Sequence, residues 1–200
     1  MDSRVMKRKF SAIILSAGRS TRMGIPKFSL RFNDEMTFLE KIADSYSKFG
    51  CREIVIVMNS DGIQYLDKLN LQLPENARVV LNDHPEWARF YSLKTGVKNL
   101  RGILPAFVSN IDNPFISQEI LISLSACIEK YDYIYPTWEG SGGHPFLISE
   151  QVIERIITEE DDQVHMRDFL AGFRNAGIEV DDKKILLNIN TSEEFRKYFS

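Results

Sequence analysis

The sequence predicts an α/β fold, a three-layer α/β/α sandwich around a mostly parallel mixed sheet. Short apolar runs such as 12–15 and 54–58 are typical of strands buried on both faces. Segments with helical spacing of apolar residues separate these runs, which favours parallel strands joined by right-handed crossovers. With 200 residues and 44% hydrophobic content, the chain is long enough for a sizeable core, and we expect one domain over residues 1–200.

The first half of the chain is predicted to alternate between strands and helices. Thr37 and Glu40 form a capping-box pattern at the start of the first helix, and Gly50 is typical of its end. Asp61 is the predicted cap of the second helix. Strands are predicted over 12–15, 54–58 and 77–81, an extended piece over 28–32, and helices over 37–50, 62–69 and 90–99.

The second half continues the alternation with one expected exception. The polar turn 137–143 lies between two predicted strands, which favours an antiparallel hairpin there. Ser117 and Thr191 are predicted helix caps. Strands are predicted over 105–109, 133–135, 145–148, 178–180 and 185–187, and helices over 117–130, 150–158, 166–173 and 192–199.

Charge and cysteine content exclude several classes of protein. The net charge of −3 gives no basic surplus, so binding to nucleic acid or to a membrane surface is not expected. Cys51 and Cys127 are predicted to be reduced thiols of a cytoplasmic protein. The basic start is followed by a short apolar run and then a polar loop, a pattern that does not fit a signal peptide.

A polar loop follows the first predicted strand. Gly18 permits close backbone approach, and Ser16 and Ser20 offer hydroxyl groups. Three cations stand within nine residues, Arg19, Arg22 and Lys27, a composition that favours polyphosphate binding. A solvated edge of the sheet is the alternative. The glycine spacing fits neither a dinucleotide-binding fingerprint nor a Walker loop, and Lys27 is expected to be exposed.

A carboxylate follows the predicted strand 105–109. Asp112 begins an Asp-Asn-Pro sequence just after that strand, and ligands in such sheets bind at the carboxyl ends of the strands. Because Mg²⁺ prefers one or two protein carboxylates together with phosphates and water, Asp112 is a candidate metal ligand facing the loop. The alternative is ordinary turn chemistry before proline.

The loop also carries a longer pattern. It reads Leu15-Ser16-Ala17-Gly18-Arg19-Ser20-x-Arg22-Met23-Gly24-x-x-Lys27. This order resembles the signature of the MobA-like NTP transferases, closest to the molybdenum cofactor cytidylyltransferase type. The resemblance implies the Rossmann-like fold of nucleotide-diphospho-sugar transferases. It also implies a Mg²⁺-dependent transfer of a nucleoside monophosphate from CTP or GTP to a phosphorylated acceptor such as a molybdopterin cofactor, releasing pyrophosphate.

The resemblance assigns roles to individual residues. It implies catalytic roles for Arg22, Lys27 and Asp112, and magnesium ligands at Asp112 and Asn190. The implied acceptor contacts are Gly143 and His144, from a Gly-His-Pro motif, and Ala17-Gly18 favours CTP over GTP. The implied nucleotide-binding residues are Leu15, Ser16, Ala17, Gly18, Arg19, Ser20, Arg22, Lys27, Asn82 and Ser92.

The chain departs from the family pattern at two places. Asn188 and Asn190 replace aspartates, and Arg89-Phe90-Tyr91 replaces a stretch of glycine and serines near the acceptor pocket. Two alternatives therefore remain: a sugar-phosphate or phosphocholine nucleotidyltransferase, and a nucleotide-binding relative without catalysis. Trp87 is interpreted as a core residue, and His84 and His165 as ordinary surface histidines. Ser92 can be a helix cap instead, and His144 a structural turn residue.

Overall fold

The computed structural model describes residues 9–87 and 89–199, and within them the strands form one eight-stranded sheet. The strands are β1 (Ser11–Ser16), β2 (Glu53–Met58), β3 (Ala77–Leu81), β4 (Ala106–Asn110), β5 (Tyr133–Trp138), β6 (Ser141–Gly142), β7 (Phe146–Ile148) and β8 (Asn175–Glu179).

The sheet is mixed and mostly parallel, as predicted. Its order is β3-β2-β1-β4-β7-β5-β6, with β8 paired to β5. The pairs of β1 with β2, β1 with β4, β2 with β3 and β5 with β8 are parallel. β7 is antiparallel to both β4 and β5, and β5 and β6 form the antiparallel hairpin expected at the polar turn. The central strand β1 therefore ends between β2 and β4.

Helices cover both faces of the sheet. They are α1 (Phe38–Phe49), α2 (Ser60–Leu66), α3 (Arg89–Lys98), α4 (Gln118–Ser125), α5 (Glu150–Thr158), α6 (Met166–Ala171) and α7 (Ser192–Phe199). Short 3₁₀ helices occupy Lys27–Ser29 and Lys183–Leu186. Across residues 9–87 and 89–199, no helix is long and apolar enough to cross a membrane.

The alternation of side chains along β1 builds the two cores. Ala12 and Ile14 belong to the core that contains buried residues of α1 and α4, whereas Ile13 and Leu15 belong to the core beneath α3 and α5. This arrangement is the predicted three-layer sandwich. Helix α3 lies very close to the sheet, because a Cβ atom added at Gly96 would be 2.6 Å from Cγ2 of Ile13.

Three local predictions are wrong. In place of the predicted strand 185–187, the structure has the 3₁₀ helix Lys183–Leu186 followed by its C-cap Leu187. Asp182 accepts a hydrogen bond from the backbone N–H of Lys184, and Ile185 is the buried residue of the helix. The extended piece at 28–32 begins with the 3₁₀ helix Lys27–Ser29, whose buried residue is Phe28.

The third error concerns the start of α2. The cap is Asn59, not Asp61, because the side-chain oxygen of Asn59 accepts a hydrogen bond from Gly62 N at 2.7 Å. The capping box of Thr37 and Glu40 and the left-handed Gly50 at the end of α1 are confirmed. Ser117 caps α4 as predicted, although that helix ends at Ser125, well before residue 130.

Candidate active site

A cavity of about 290 Å³ lies beyond the carboxyl ends of β1 and β4. The two strand ends are joined by a hydrogen bond from Ile111 N to Leu15 O at 3.1 Å. The loop after β1, the end of β4, the start of α3 and the segment before α7 all contribute to its walls. Its lining residues include Leu15, Ala17, Gly18, Ser20, Arg22, Lys27, Trp87, Arg89, Ser92, Asn110, Asp112 and Asn190.

The loop after β1 is anchored at its beginning. The side-chain nitrogen of Asn59 donates to Ala17 O at 2.8 Å, while the oxygen of the same amide caps α2. Because one buried side chain bonds both the loop and a helix, the start of the loop is fixed relative to β2. Asn59 is a supporting residue that the sequence analysis missed.

The loop is also anchored at its tip and at its end. Ser20 has a positive φ of 49°, and its carbonyl oxygen accepts hydrogen bonds from Met23 N and Gly24 N. The hydroxyl of Ser20 accepts a hydrogen bond from Lys27 N at 3.3 Å. Met23 and Phe28 are buried in the core on the α1 face. The backbone that carries Arg22 and Lys27 is therefore held in place by the protein itself.

The ammonium group of Lys27 lies between two oxygen atoms. Its Nζ donates to Oδ1 of Asn190 at 2.7 Å and lies 3.4 Å from Oδ2 of Asp112. The side chains of Lys27 and Asp112 are each only 12% exposed. The expectation that Lys27 is exposed is therefore wrong, because this ion pair draws its side chain inward. The structure brings together three of the residues singled out from the sequence.

Backbone contacts hold Asn190 next to Asp112. Ile189 N donates to the carbonyl oxygen of Asp112 at 2.8 Å. The side-chain nitrogen Nδ2 of Asn190 donates to the carbonyl oxygen of Asn188 at 3.1 Å. The side-chain oxygen Oδ1 of Asn190 is thereby directed to Lys27. Glu194 accepts hydrogen bonds from the N–H groups of Asn190 and Thr191, and these bonds lower the pKa of its carboxyl group. The positive charge of Arg22 lowers that pKa further.

The oxygen atoms at this point fit a hard divalent cation. Oδ1 of Asp112 is buried and has no hydrogen-bond partner among the described residues. The side-chain oxygen of Asn190 is the second candidate ligand, and Mg²⁺ completes such a shell with phosphate oxygens and water. Within residues 9–87 and 89–199 no cluster of three or more His, Cys, Asp or Glu side chains could hold a metal. The protein therefore offers part of a coordination shell, and a bound phosphate would have to supply more of it.

The segment between β3 and α3 forms another wall. Asn82 is buried and does not line the cavity, since its side chain donates to Ser92 Oγ at 2.9 Å and accepts from His84 N at 2.9 Å. Asn82, which was predicted to contact the nucleotide, instead holds the side chain of Ser92. Ser92 itself lines the cavity. Trp87 also lines it and stacks on the ring of His84 at 4.0 Å, so the interpretation of Trp87 as a core residue is wrong.

The two residues of the Gly-His-Pro motif do not line the cavity. His144 is half-buried, and its Nε2 lies 3.0 Å from Nδ2 of Asn110. Burial lowers the pKa of His144, Asp112 opposes that shift and Arg89 adds to it, so the ring is neutral at pH 7. An added Cβ at Gly143 would be 2.6 Å from the carbonyl oxygen of Ile185, which gives this glycine a packing role.

The remaining predicted residues divide between two hollows. Ser16 and Arg19 line a second, neighbouring hollow beside α2, together with Asn59 and Tyr65. Gly18 and Ser20 line both. Arg89 and Asn110 line the main cavity and were not predicted to contact ligands. The sequence carried one indication that Arg89 contacts a ligand: it is a cation at the point where the chain departs from the family pattern.

The arrangement of strands, loop and carboxylate agrees with a comparison of the sequence to protein families. The family described as the MobA-like NTP transferase domain matches residues 12–178. This chain belongs to the MobA-like NTP transferase family. Members transfer nucleotides from NTPs, so the chain is a nucleotidyltransferase, and the reading as a binding module without catalysis is set aside. No curated protein matches the sequence significantly.

Solved structures share the fold at low sequence identity. Rv0371c from Mycobacterium tuberculosis H37Rv is 20% identical, with a TM-score of 0.77 over 96% of this chain and 99% of that one. A 4-diphosphocytidyl-2C-methyl-D-erythritol synthase from Anaerococcus prevotii is 14% identical, with a TM-score of 0.76 over 99% of this chain and 97% of that one. Molybdopterin-guanine dinucleotide biosynthesis protein A from Archaeoglobus fulgidus is 17% identical, with a TM-score of 0.64 over 94% of this chain and 96% of that one. Rv0371c has also been crystallised with manganese.

Proposed function

We propose that this MobA-like NTP transferase catalyses a Mg²⁺-dependent transfer of a nucleoside monophosphate, from CTP by preference, to a phosphorylated acceptor such as a molybdopterin cofactor, releasing pyrophosphate. The observation that carries the proposal is the position of Asp112. Asp112 lines the same cavity as Arg22 and Lys27, and its buried Oδ1 has no hydrogen-bond partner among the described residues. Cations for phosphates and an oxygen ligand for a metal therefore meet in one place.

The cations of the loop account for the phosphate chemistry. In nucleotidyl transfer, charge builds up on the α-phosphate oxygens and on the leaving pyrophosphate, and fixed cations and backbone N–H groups stabilise it. Arg22 and the N–H groups after Gly18 would hold the β- and γ-phosphates, and Lys27 would contact the α-phosphate. Both cations line the cavity. The acceptor's own phosphate is the nucleophile, so no covalent protein nucleophile is needed.

Asp112 and Asn190 would hold the divalent cation. When bound, Mg²⁺ supplies charge neutralisation for the phosphates. Asp112 contributes Oδ1, and Asn190 contributes an amide oxygen that carries no charge. With a single protein carboxylate in the shell, the affinity of the site for the metal depends strongly on the phosphates of the nucleotide.

The preference for CTP rests on Ala17. This residue lines the cavity beside Gly18 and is 6% exposed, so its methyl group is part of a tight wall. Relatives with glycine at the equivalent position favour GTP, and the methyl group narrows the space open to a purine. Trp87 and Ser92 line the same cavity and are candidates for stacking on the base and for hydrogen bonding.

The acceptor phosphate is assigned to Arg89. This cation lines the cavity at the first residue of α3, on the opposite face of the sheet from the buried anchors Met23 and Phe28. Within the described residues, no acidic side chain forms an ion pair with it. His144 is a poorer partner for an anion, since its lowered pKa leaves the ring neutral at pH 7. An exposed guanidinium group with no acidic partner among the described residues is well suited to bind phosphate bidentately.

A pyrophosphate-release assay tests the proposed function. The purified protein is mixed with Mg²⁺, with CTP, GTP, ATP or UTP, and with acceptors that include molybdopterin cofactor, sugar phosphates and phosphocholine. We expect acceptor-dependent pyrophosphate release that is fastest with CTP and molybdopterin cofactor. The Asp112→Asn variant is the matched inactive control. If only a sugar phosphate or phosphocholine supports pyrophosphate release, that compound replaces molybdopterin cofactor as the proposed acceptor. If no combination of NTP and acceptor releases pyrophosphate, the proposal is contradicted.

A further inference from the structure

We propose that Lys27 blocks the metal site until a nucleotide arrives, so that the divalent cation binds together with the nucleotide and not before it. The inference rests on the proposed function for the nature of the site. It goes further by setting the order in which the two ligands bind. We call the contact of the Lys27 ammonium group with Asp112 and Asn190 the Lys27 bridge.

The Lys27 bridge occupies one candidate metal-ligand oxygen, Oδ1 of Asn190, and on Asp112 it contacts Oδ2, the carboxylate oxygen next to the candidate ligand Oδ1. Nζ of Lys27 lies 2.7 Å from Oδ1 of Asn190 and 3.4 Å from Oδ2 of Asp112. One ammonium group thus contacts both candidate metal ligands. With the Lys27 and Asp112 side chains each 12% exposed, water screens the interaction little. The single carboxylate of the site is already neutralised by the protein.

A free divalent cation meets two obstacles at this site. It must take the amide oxygen of Asn190 from an ammonium group, and it must approach a positive charge within a few ångströms. The repulsion is strong because the surroundings exclude most of the solvent. One carboxylate that is already paired offers little to offset it. We therefore infer weak binding of the metal alone.

A nucleotide removes both obstacles. Its phosphates carry the negative charge that draws the ammonium group away from Asp112 and Asn190, and they offer the metal further oxygen ligands. Only the side chain of Lys27 has to move. Its backbone is held by the bond from Lys27 N to Ser20 Oγ, and the next residue, Phe28, is buried. The loop anchors the lysine while its terminal group changes partners.

Linkage makes the effect measurable. If the nucleotide releases the metal ligands, nucleotide and metal each strengthen the binding of the other by the same factor. Replacing Lys27 with an uncharged side chain should open the site in the absence of nucleotide. The affinity for metal alone should then rise, although Lys27 is also a candidate catalytic residue and turnover should fall. A higher affinity for metal alone together with a lower turnover distinguishes the Lys27 bridge from a simple loss of structure.

The experiment uses Mn²⁺ as the probe, since its free concentration can be followed by electron paramagnetic resonance. Mn²⁺ is titrated without nucleotide into the wild-type protein, Lys27→Met and Lys27→Gln. Arg22→Met is the matched control. It removes one positive charge from the same loop and cavity, and Arg22 makes no hydrogen bond or ion pair with Asp112 or Asn190 within the described residues. Circular dichroism shows whether each variant is folded.

We expect both Lys27 variants to bind Mn²⁺ at least about tenfold more tightly than wild type, the size of effect that one nearby charge has on an ionisable group. Arg22→Met should change the affinity by less than about threefold. Unchanged Mn²⁺ affinity in folded Lys27 variants would overturn the proposal, and so would tight binding of Mn²⁺ alone by the wild type. Neither result would affect pyrophosphate release by the wild-type protein, so failure of this inference is distinct from failure of the proposed function.

Discussion

Lys27 donates a hydrogen bond to the side-chain oxygen of Asn190 at 2.7 Å, although the two residues are 163 positions apart in the sequence. The bond joins the loop after the first strand to the segment before the last helix. Asp112, at the end of a third element, pairs with the same ammonium group at 3.4 Å. The candidate active site is therefore held together by its own candidate functional side chains, and we expect a change in one of them to affect both binding and stability.

Lys27→Ala should lower turnover by about 10²- to 10³-fold, the usual cost of losing one group that stabilises transition-state charge. It should also lower the free energy of unfolding by about 1–3 kcal/mol, because Asp112 keeps a largely buried charge without its partner. Turnover is measured by pyrophosphate release and stability by urea unfolding.

Lys48→Ala is the control for Lys27→Ala. Lys48 pairs with Asp44 on the surface, where its side chain is 67% exposed, so the change should cost less than about 0.5 kcal/mol. Wild-type turnover in Lys27→Ala would contradict the assignment of the phosphate-binding loop.

Arg89→Met should raise the KM for the acceptor about tenfold or more and leave the KM for CTP nearly unchanged. The reason is that Arg89 begins α3, whereas the cations assigned to the triphosphate lie in the loop after β1. Steady-state kinetics with each substrate varied in turn separates the two constants. An increase confined to the KM for CTP would move Arg89 to the nucleotide subsite.

Asn59→Ala should weaken nucleotide binding from a distance. The variant loses the cap of α2 and the bond to Ala17 O, at a cost of about 1–2 kcal/mol in stability. With the start of the loop released, the KM for CTP should rise. Ser117→Ala is the matched control, because it removes a similar cap from α4, away from the cavity. If both variants raise the KM equally, Asn59 has no special role in positioning the loop.

Ala17→Gly should raise the use of GTP relative to CTP, by less than about tenfold, because one methyl group is removed from the cavity wall. The ratio of kcat/KM for the two nucleotides is the quantity to compare. An unchanged ratio would show that the base is selected elsewhere, with Trp87 and Ser92 the next residues to test.

The sequence predicted those parts of the fold that depend on local patterns. Consecutive apolar residues identified β1 and β2, and the capping box identified the start of α1. Local patterns failed where two residues could play one role, as with Asn59 and Asp61 at α2. They also failed at 185–187, where an apolar run lies in a 3₁₀ helix with a single buried residue.

The sequence singled out a set of candidate site residues but not their geometry. Arg22, Lys27, Asp112 and Asn190 were identified from the sequence, and all four line one cavity. The Lys27 bridge depends on tertiary packing of three distant segments, for which the sequence carries no periodic signal. Asn82 and His144 are polar and near strand ends, and only their hydrogen bonds in the structure reveal that each is engaged with a protein partner.

The ion pair also changes what is expected of Asp112. The sequence alone shows no partner for Asp112, so it gives no reason to expect that Asp112→Asn lowers stability. Because Asp112 pairs with Lys27, the variant should instead lose about 1 kcal/mol, or roughly 2–4 °C in melting temperature for a chain of this size. A loss of stability alone therefore says little about a metal site.

The most direct test of the account is the melting temperature of wild type and Asp112→Asn, each measured alone, with Mg²⁺, with CTP and with both. In the wild type, Mg²⁺ and CTP together should stabilise the fold by more than the sum of their separate effects. The total stabilisation should be about 2.7 kcal/mol when the Mg²⁺–CTP concentration is about a hundred times its dissociation constant. In Asp112→Asn this extra stabilisation should disappear, together with pyrophosphate release. If the variant keeps the coupling between Mg²⁺ and CTP, Asp112 is not the metal ligand and the proposed mechanism is wrong.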